Sequence, residues 1–288
     1  MRNLFGLALL CIMAFSSCNK DASELNDIEP DNNTEFVMIN LSPYSMESLD
    51  NFTTRAASPI SGIVTKLDVW IIEGTDTIEF HQSSGDGFGT ISATLNKTKT
   101  YTLYAIAHSA NGEATLDTDH IVSFPDNKVT QTLFYTTTFS PAETTSITGV
   151  MDRISSQFRM ETSDAIPNDV TQMKFTVYNT GTTFNVVDKT FGDKIDKVTH
   201  YTSINVSNDG TANFTVSLFP NNVTETANFR IVADAMRANN SIFKTREFPS
   251  VPIKSNYKTT YRGVFFTDQT FSSSFSVNDW SSFDTTDY

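Results

Sequence analysis

Cysteine is nearly absent from this sequence: the 288 residues contain two, Cys11 and Cys18, and both lie close to the N-terminus. No disulfide can therefore cross-link residues 19–288, and no cysteine there can complete a zinc site. Stability must come from the burial of apolar side chains, for which 23 phenylalanines and nine tyrosines supply the volume. The cysteine count predicts a protein held together by its hydrophobic core.

Long hydrophobic runs are missing as well. The longest, Leu4 to Phe15, covers about 12 residues, whereas a membrane-spanning helix needs about 20. Arg2 precedes this run and the small pair Ser16-Ser17 follows it, which is the pattern of a cleaved export signal over residues 1–17. Because Cys18 comes next, we predict that it carries lipid, such as palmitate, as the first residue of a mature lipoprotein. The alternative is an ordinary secretory leader that a cysteine happens to follow.

Positive charge is scarce, since 20 lysines and arginines stand against 33 acidic residues and give a net charge of −13. A surface that binds nucleic acid needs a basic patch, and no run of lysine or arginine supplies one. Nucleic acid is therefore excluded as a partner. Residues 18–34 are polar and carry five of the acidic side chains, which predicts a flexible acidic tether between the lipid and the folded body.

No segment shows the 3.6-residue apolar spacing of a helix, whereas alternation of apolar and polar residues is frequent. Leu67, Val69 and Ile71 alternate with Lys66, Asp68 and Trp70, and similar alternation predicts further strands, including one that runs through residues 153–160. Turn-forming Asn and Gly residues separate these short strands, which is typical of sandwiches or barrels. We predict an all-β protein with two sandwich domains, over residues 35–164 and 165–288, joined near Pro167.

The usual signatures of catalysis and cofactor binding are missing. The four histidines stand far apart in the sequence and most are expected on the surface, so no metal site is predicted. There is no nucleophile elbow or P-loop, and the glycines of residues 85–89 lie between two predicted strands and indicate a hairpin loop. A pair of acids for glycoside hydrolysis could come from distant strands, but most acids are expected in solvated loops. The sequence predicts neither an enzyme nor a cofactor.

The segment Glu35 to Leu41 is an isolated strand at the start of the predicted body. Phe36 and Met38 alternate there with Val37 and Ile39, and a long polar stretch follows as far as Arg55-Ala56. In a plain sandwich such a first strand pairs at a sheet edge.

Several of these features together resemble the fimbrillin superfamily of Bacteroidales, which contains the subunits and anchors of type V pili. They are Cys18 behind its leader, the first strand before Arg55-Ala56, the strand Val64 to Ile72, the segment Met151 to Pro167, and the closing segment Phe275 to Trp280. The resemblance covers nearly the whole predicted mature chain.

The resemblance implies two transthyretin-like, Greek-key β-sandwich domains, export as a lipoprotein and assembly by strand donation between subunits. In polymerising subunits of that family a protease cuts after an arginine and releases the lipidated first strand. Arg55-Ala56 matches that cut by position and by the small residues that follow. Anchor subunits keep both their lipid and their first strand, and this chain is shorter than a stalk subunit is expected to be.

The sequence therefore predicts a fimbrial subunit on the cell outer membrane, acting as an anchor or accessory subunit. Its expected partners are other fimbrial subunits through strand exchange and membrane lipid through Cys18. The alternative is a surface glycan-binding lipoprotein of a polysaccharide-uptake system, in which Trp70, Trp280 and surface tyrosines would stack on sugars.

Overall fold

The computed structural model describes residues 33–43, 60–192, 195–204, 212–267 and 274–279. The predicted leader, Cys18, Arg55, Ala56 and Trp280 all lie outside these residues. Residues 34–288 cluster as one compact unit. No helix in the described ranges is long and apolar enough to cross a membrane.

The described chain is built from strands, which confirms the all-β prediction. Two short 3-10 turns, Ile60–Gly62 and Pro125–Asn127, accompany them. In chain order the strands are β1 (Thr34–Pro43), β2 (Lys66–Glu73), β3 (Asp76–Ser83), β4 (Thr90–Asn96), β5 (Tyr101–His108), β6 (Thr115–Leu116), β7 (Ile121–Ser123), β8 (Thr132–Phe139), β9 (Ser146–Arg153), β10 (Ser156–Thr162), β11 (Val170–Thr180), β12 (Thr183–Asn185), β13 (Thr190–Gly192), β14 (Ile195–Ser203), β15 (Ala212–Leu218), β16 (Ala227–Arg237), β17 (Ile242–Ile253), β18 (Tyr257–Gly263) and β19 (Ser274–Asp279).

The first sandwich packs strands β3-β2-β5-β8 against strands β9-β1-β4, and β8 joins β9 through only two residue pairs. Inward-pointing side chains alternate along each strand, as the period of two requires. Val37, Leu67, Ile91, Leu103 and Ile147 are among the members of this first core.

The second sandwich packs β15-β10-β18-β19 against β14-β11-β16-β17 around a core that includes Phe158, Phe175 and Phe214. The prediction of one strand through residues 153–160 is wrong. Strand β9 ends at Arg153 in the first sandwich, and β10 begins at Ser156 in the second. Between them the amide of Ile154 donates to the carbonyl of Thr132, 3.0 Å away. The domain limits at 164 and 165 remain a prediction, although β10 pairs with strands of the second sandwich.

A small sheet joins the two sandwiches. Residues 109–131, here called the covering segment, connect β5 to β8 and contain β6 and β7. Strand β7 pairs antiparallel with β12, which belongs with β13 to a hairpin after β11. A third core lies beside this sheet and takes residues from both halves of the chain. Its fully buried aromatic members include Trp70, Phe184 and Phe219.

The covering segment also changes what the strands beneath it bury. Strand β2 alternates in sequence, yet Asp68 and Trp70 on its outer face are 1% and 0% exposed. The glycine-rich loop of residues 85–89 is not a hairpin loop either. It carries the chain from β3 in one layer to β4 in the other, and those two strands do not pair.

Candidate functional site

Strand β1 is the sequence-predicted first strand, and it contributes to the centre of the first core. Val37 and Ile39 are fully buried and Leu41 is 6% exposed, whereas Phe36 and Met38 point outwards and are 53% and 41% exposed. This split follows the alternation in the sequence. The strand's inward face is therefore part of the sandwich core.

Strand β1 lies between two partners. It pairs antiparallel with β4 over seven residue pairs and parallel with β9 over six. The expectation that this strand pairs at a sheet edge is wrong, because β4 occupies the edge and has β1 as its neighbour in the sheet. Removing β1 would open a groove between β4 and β9 and would also leave β4 without that neighbour.

The end of the groove that holds Leu41 is shaped by glycines. A Cβ atom on Gly149 of β9 would lie 2.7 Å from both Leu41 Cδ2 and Tyr135 Cε1, so any larger residue there would have to displace these side chains. On the other side, the amide of Leu41 donates to the carbonyl of Gly89 at 2.8 Å. A Cβ atom on Gly89 would lie 2.7 Å from the Leu41 carbonyl oxygen, and its φ of 93° also favours glycine.

The covalent link between β1 and the rest of the sandwich runs through residues 44–59, which lie outside the described chain. Arg55 and Ala56 belong to this segment, so cleavage there stays a prediction. The chain returns at Ile60, which is 3% exposed and joins the same core as Val37 and Ile39. A cut between Pro43 and Ile60 would leave β1 attached by packing and hydrogen bonds alone.

Two of the histidines that were expected on the surface meet at one buried carboxylate. His81 Nδ1 lies 2.7 Å from Asp68 Oδ1, and His108 Nε2 lies 2.8 Å from Asp68 Oδ2. His108 is fully buried and the His81 side chain is 28% exposed. Sequence spacing gave no sign of this cluster, because its three residues come from three different strands.

The other two histidines are half-buried. Burial lowers the pKa of His200 from 6.5 to about 4, and the nearby charge of Lys128 acts in the same direction. The ring of His120 contacts that of Tyr104, with 5.9 Å between the ring centres. In the ranges that the structure describes, no three His, Cys, Asp or Glu side chains are gathered as metal ligands.

One of the two tryptophans that the glycan-binding alternative requires on the surface is buried. Trp70 is 0% exposed and belongs to the third core between the sandwiches. It therefore cannot stack on a sugar, and Trp280 lies outside the described residues. Tyr201, 61% exposed, is the most exposed large aromatic side chain among the described residues.

Comparison with known proteins gives structural matches only. No protein-family model matches the sequence, and no curated protein is similar enough to count as a relative. A proposed adhesin from Bacteroides thetaiotaomicron has a TM-score of 0.53 at 12% identity, over 88% of this chain and 98% of its own. A proposed cell adhesion protein from Bacteroides ovatus has a TM-score of 0.50 at 14% identity, over 85% and 96%. This chain has their fold.

The fimbrial anchor protein Mfa2 from Porphyromonas gingivalis is also among the similar structures. Its TM-score is 0.47 at 10% identity, over 86% of this chain and 98% of that protein. At identities of 10–14% these matches concern the fold alone.

Proposed function

We propose that the protein is a cell-surface fimbrial subunit that acts as an anchor or accessory subunit. In this proposal, lipid on Cys18 holds it in the outer membrane, and it joins its neighbours by β-strand donation. The observation that carries the proposal is the placement of β1. This strand completes the first core, yet it is tied to the rest of the sandwich through the segment that contains Arg55. The fold shared with two proposed adhesins supports the same function.

The pairing of β1 explains how strand donation would work. A groove between β4 and β9 would present unpaired amide and carbonyl groups on both sides, together with the pockets of Val37, Ile39 and Leu41. A strand that fills it must run antiparallel to β4 and parallel to β9. Its backbone supplies affinity, and its alternate apolar side chains supply specificity.

The same contacts favour retention of β1, as an anchor requires. Each buried Val, Ile or Leu side chain contributes about 1.5–3 kcal/mol, and each ladder hydrogen bond adds about 0.5–1.5 kcal/mol net. Strand β1 has three such side chains and two hydrogen-bonded neighbours. We therefore expect β1 to stay in place in this protein even if Arg55 is cut, until another strand competes for the groove.

Lipid on Cys18 would then hold the whole protein. Each acyl CH₂ group that enters the bilayer contributes about 0.8 kcal/mol, so several chains make the attachment effectively permanent. Since β1 begins at Thr34, residues 18–33 would separate the membrane surface from the first sandwich.

Mass spectrometry of the mature N-terminus, on protein purified from outer membranes, tests the anchor role. We expect one species that begins at an acylated Cys18 and continues uncut through Arg55. The variant Cys18→Ser should leave the membrane fraction, and Arg55→Gln should behave like the wild type. A mature chain that begins at Ala56 would replace the anchor role with that of a polymerising subunit.

The strand-donation part is tested on protein cut after Arg55 in vitro. A labelled peptide with the sequence of residues 34–43 should exchange slowly into the groove, and the same peptide carrying Ile39→Asp should not. Equal incorporation of both peptides, or of neither after prolonged incubation, would contradict strand donation.

A further inference from the structure

The buried carboxylate of Asp68 links three strands to the covering segment. Besides His81 on β3 and His108 on β5, Asp68 Oδ2 accepts a hydrogen bond from the backbone amide of Ala114, 3.0 Å away. The amide of Ala110 donates to His108 Nδ1 at 3.1 Å. Both ends of the turn Ala110 to Ala114, where the covering segment begins, are therefore fastened to Asp68, directly or through His108.

These hydrogen bonds define the protonation of His108. Its Nδ1 accepts from the amide of Ala110, so that nitrogen carries no proton. The proton is on Nε2, which donates to Asp68. His108 is therefore neutral and does not balance the charge of the buried Asp68 carboxylate.

His81 has carboxylates on both sides of its ring. Nδ1 donates to Asp68, while Nε2 lies 3.5 Å from Glu79 Oε2 and 4.0 Å from Glu113 Oε2. Lys66, on the same face of β2, donates instead to the hydroxyl of Ser83. A protonated His81 ring satisfies all three carboxylates. A neutral ring would turn a lone pair on Nε2 towards two of them and leave Asp68 without a counter-charge.

Burial on its own lowers the pKa of His81. The hydrogen bond to Asp68 and its charge, the charge of Glu113 and the hydrogen bond that His81 donates to Glu79 outweigh this effect, so the pKa lies above its ordinary value of 6.5. A histidine with a raised pKa stabilises the folded state fully below pH 6.5, and this stabilisation is lost as the pH rises through the raised value. The change therefore falls above pH 6.5.

We propose that Asp68, His81 and His108 form a proton-dependent clamp that fastens the covering segment to the first sandwich when His81 is charged and loosens it when His81 loses its proton. The consequence reaches beyond the first sandwich, because β7 of the covering segment pairs with β12 of the second half. Loss of the proton would weaken the small sheet that joins the two sandwiches.

Trp70 is a natural reporter for this clamp. It lies two residues from Asp68 on the same face of β2, fully buried in the third core. Replacing the second tryptophan by Trp280→Phe gives a protein whose fluorescence comes from Trp70 alone. Acrylamide quenching of this protein is then measured from about pH 5.5 to about pH 8.5, the range in which histidines titrate.

We expect quenching to stay low in the acidic part of this range and to rise, with a red-shifted emission, as the pH passes through a midpoint above 6.5. The variant His81→Gln keeps a donor for Asp68 but never carries charge, so it should lose the pH dependence and be quenched throughout. The control His200→Gln changes a histidine outside the clamp and should keep the wild-type midpoint.

Trp70 quenching that does not change over this range, or a pH dependence that His81→Gln leaves intact, would overturn the proposal. Should His81→Gln not fold, NMR titration of the histidines in the wild-type protein decides the matter. A His81 midpoint above 6.5 that coincides with shifts in the amides of Ala110 and Ala114 supports the clamp. A midpoint at or below 6.5 refutes it.

Discussion

Asp164 shows how much one side chain at a junction can organise. Its carboxylate accepts hydrogen bonds from the backbone amides of Phe265, Phe266 and Thr267 at 2.8, 2.6 and 2.7 Å. The Lys244 ammonium donates to the carbonyl of Phe266 at 3.2 Å and also binds that of Thr267. After β18, backbone amides thus donate to a carboxylate, and backbone carbonyls accept from an ammonium group. Phe265 and Phe266 of this segment belong to the second core.

At the scale of the residue we therefore predict that Asp164→Asn lowers the free energy of unfolding by about 1.5–3 kcal/mol, the range for hydrogen bonds to a charged group. An amide has a single acceptor oxygen and places an NH₂ group against at least one backbone amide. Urea denaturation measures the change. The matched control is Asp169→Asn, whose exposed, solvent-screened pair with Arg237 is expected to contribute little to stability. Equal losses in the two variants would contradict the role given to Asp164.

Single residues were also where sequence reasoning was least effective. Alternation along β2 predicted the inward side chains Leu67, Val69 and Ile71, but it could not show that Asp68 and Trp70 are buried as well. Their burial depends on the covering segment, which is distant in sequence. The contact of His81 and His108 with Asp68 depends in the same way on strand order, which residue spacing does not encode.

At the scale of the element, the pattern of apolar residues predicted where strands lie, but it did not predict which strands pair with each other. Strand β2 points Leu67, Val69 and Ile71 into the first core, as their alternation indicated. The alternation through residues 153–160 continued across the break between β9 and β10 because both strands are extended there and no glycine or proline marks the change of sandwich. The position of β1 between β4 and β9 likewise depends on long-range pairing.

The two faces of β1 provide a matched test of this element. Ile39→Ala removes fully buried atoms from the first core and should lower the free energy of unfolding by about 2–5 kcal/mol. Met38→Ala, one residue away, changes a side chain on the outer face that is 41% exposed, and should cost less than about 1 kcal/mol. Urea denaturation of the uncut protein measures both. If the two variants lost the same stability, β1 would not hold its place through its inward face.

At the scale of the whole molecule, three cores rather than two determine how the protein behaves. The third takes Phe124 and Phe134 from the first half of the chain, and Phe184, Phe191 and Phe219 from the second. The rings form a continuous series, with centre-to-centre distances of 5.0 Å for Phe134–Phe184 and 4.4 Å for Phe191–Phe219. Apolar contact of this kind couples the folding of the two sandwiches.

We therefore expect the wild-type protein to unfold in one cooperative transition. Phe184→Ala removes the ring that contacts both Phe134 and Phe191 and leaves a cavity, at a cost of about 3–5 kcal/mol. Because that loss falls on the contact between the sandwiches, the variant should unfold in two steps, with far-UV circular dichroism and tryptophan fluorescence no longer coincident.

Phe175→Ala makes the same change inside the second core and should shift the single transition to lower urea. A single transition in both variants would mean that other contacts couple the two sandwiches. If their coupling depends on the third core, the two sandwiches cannot unfold together once the Phe184 ring is removed.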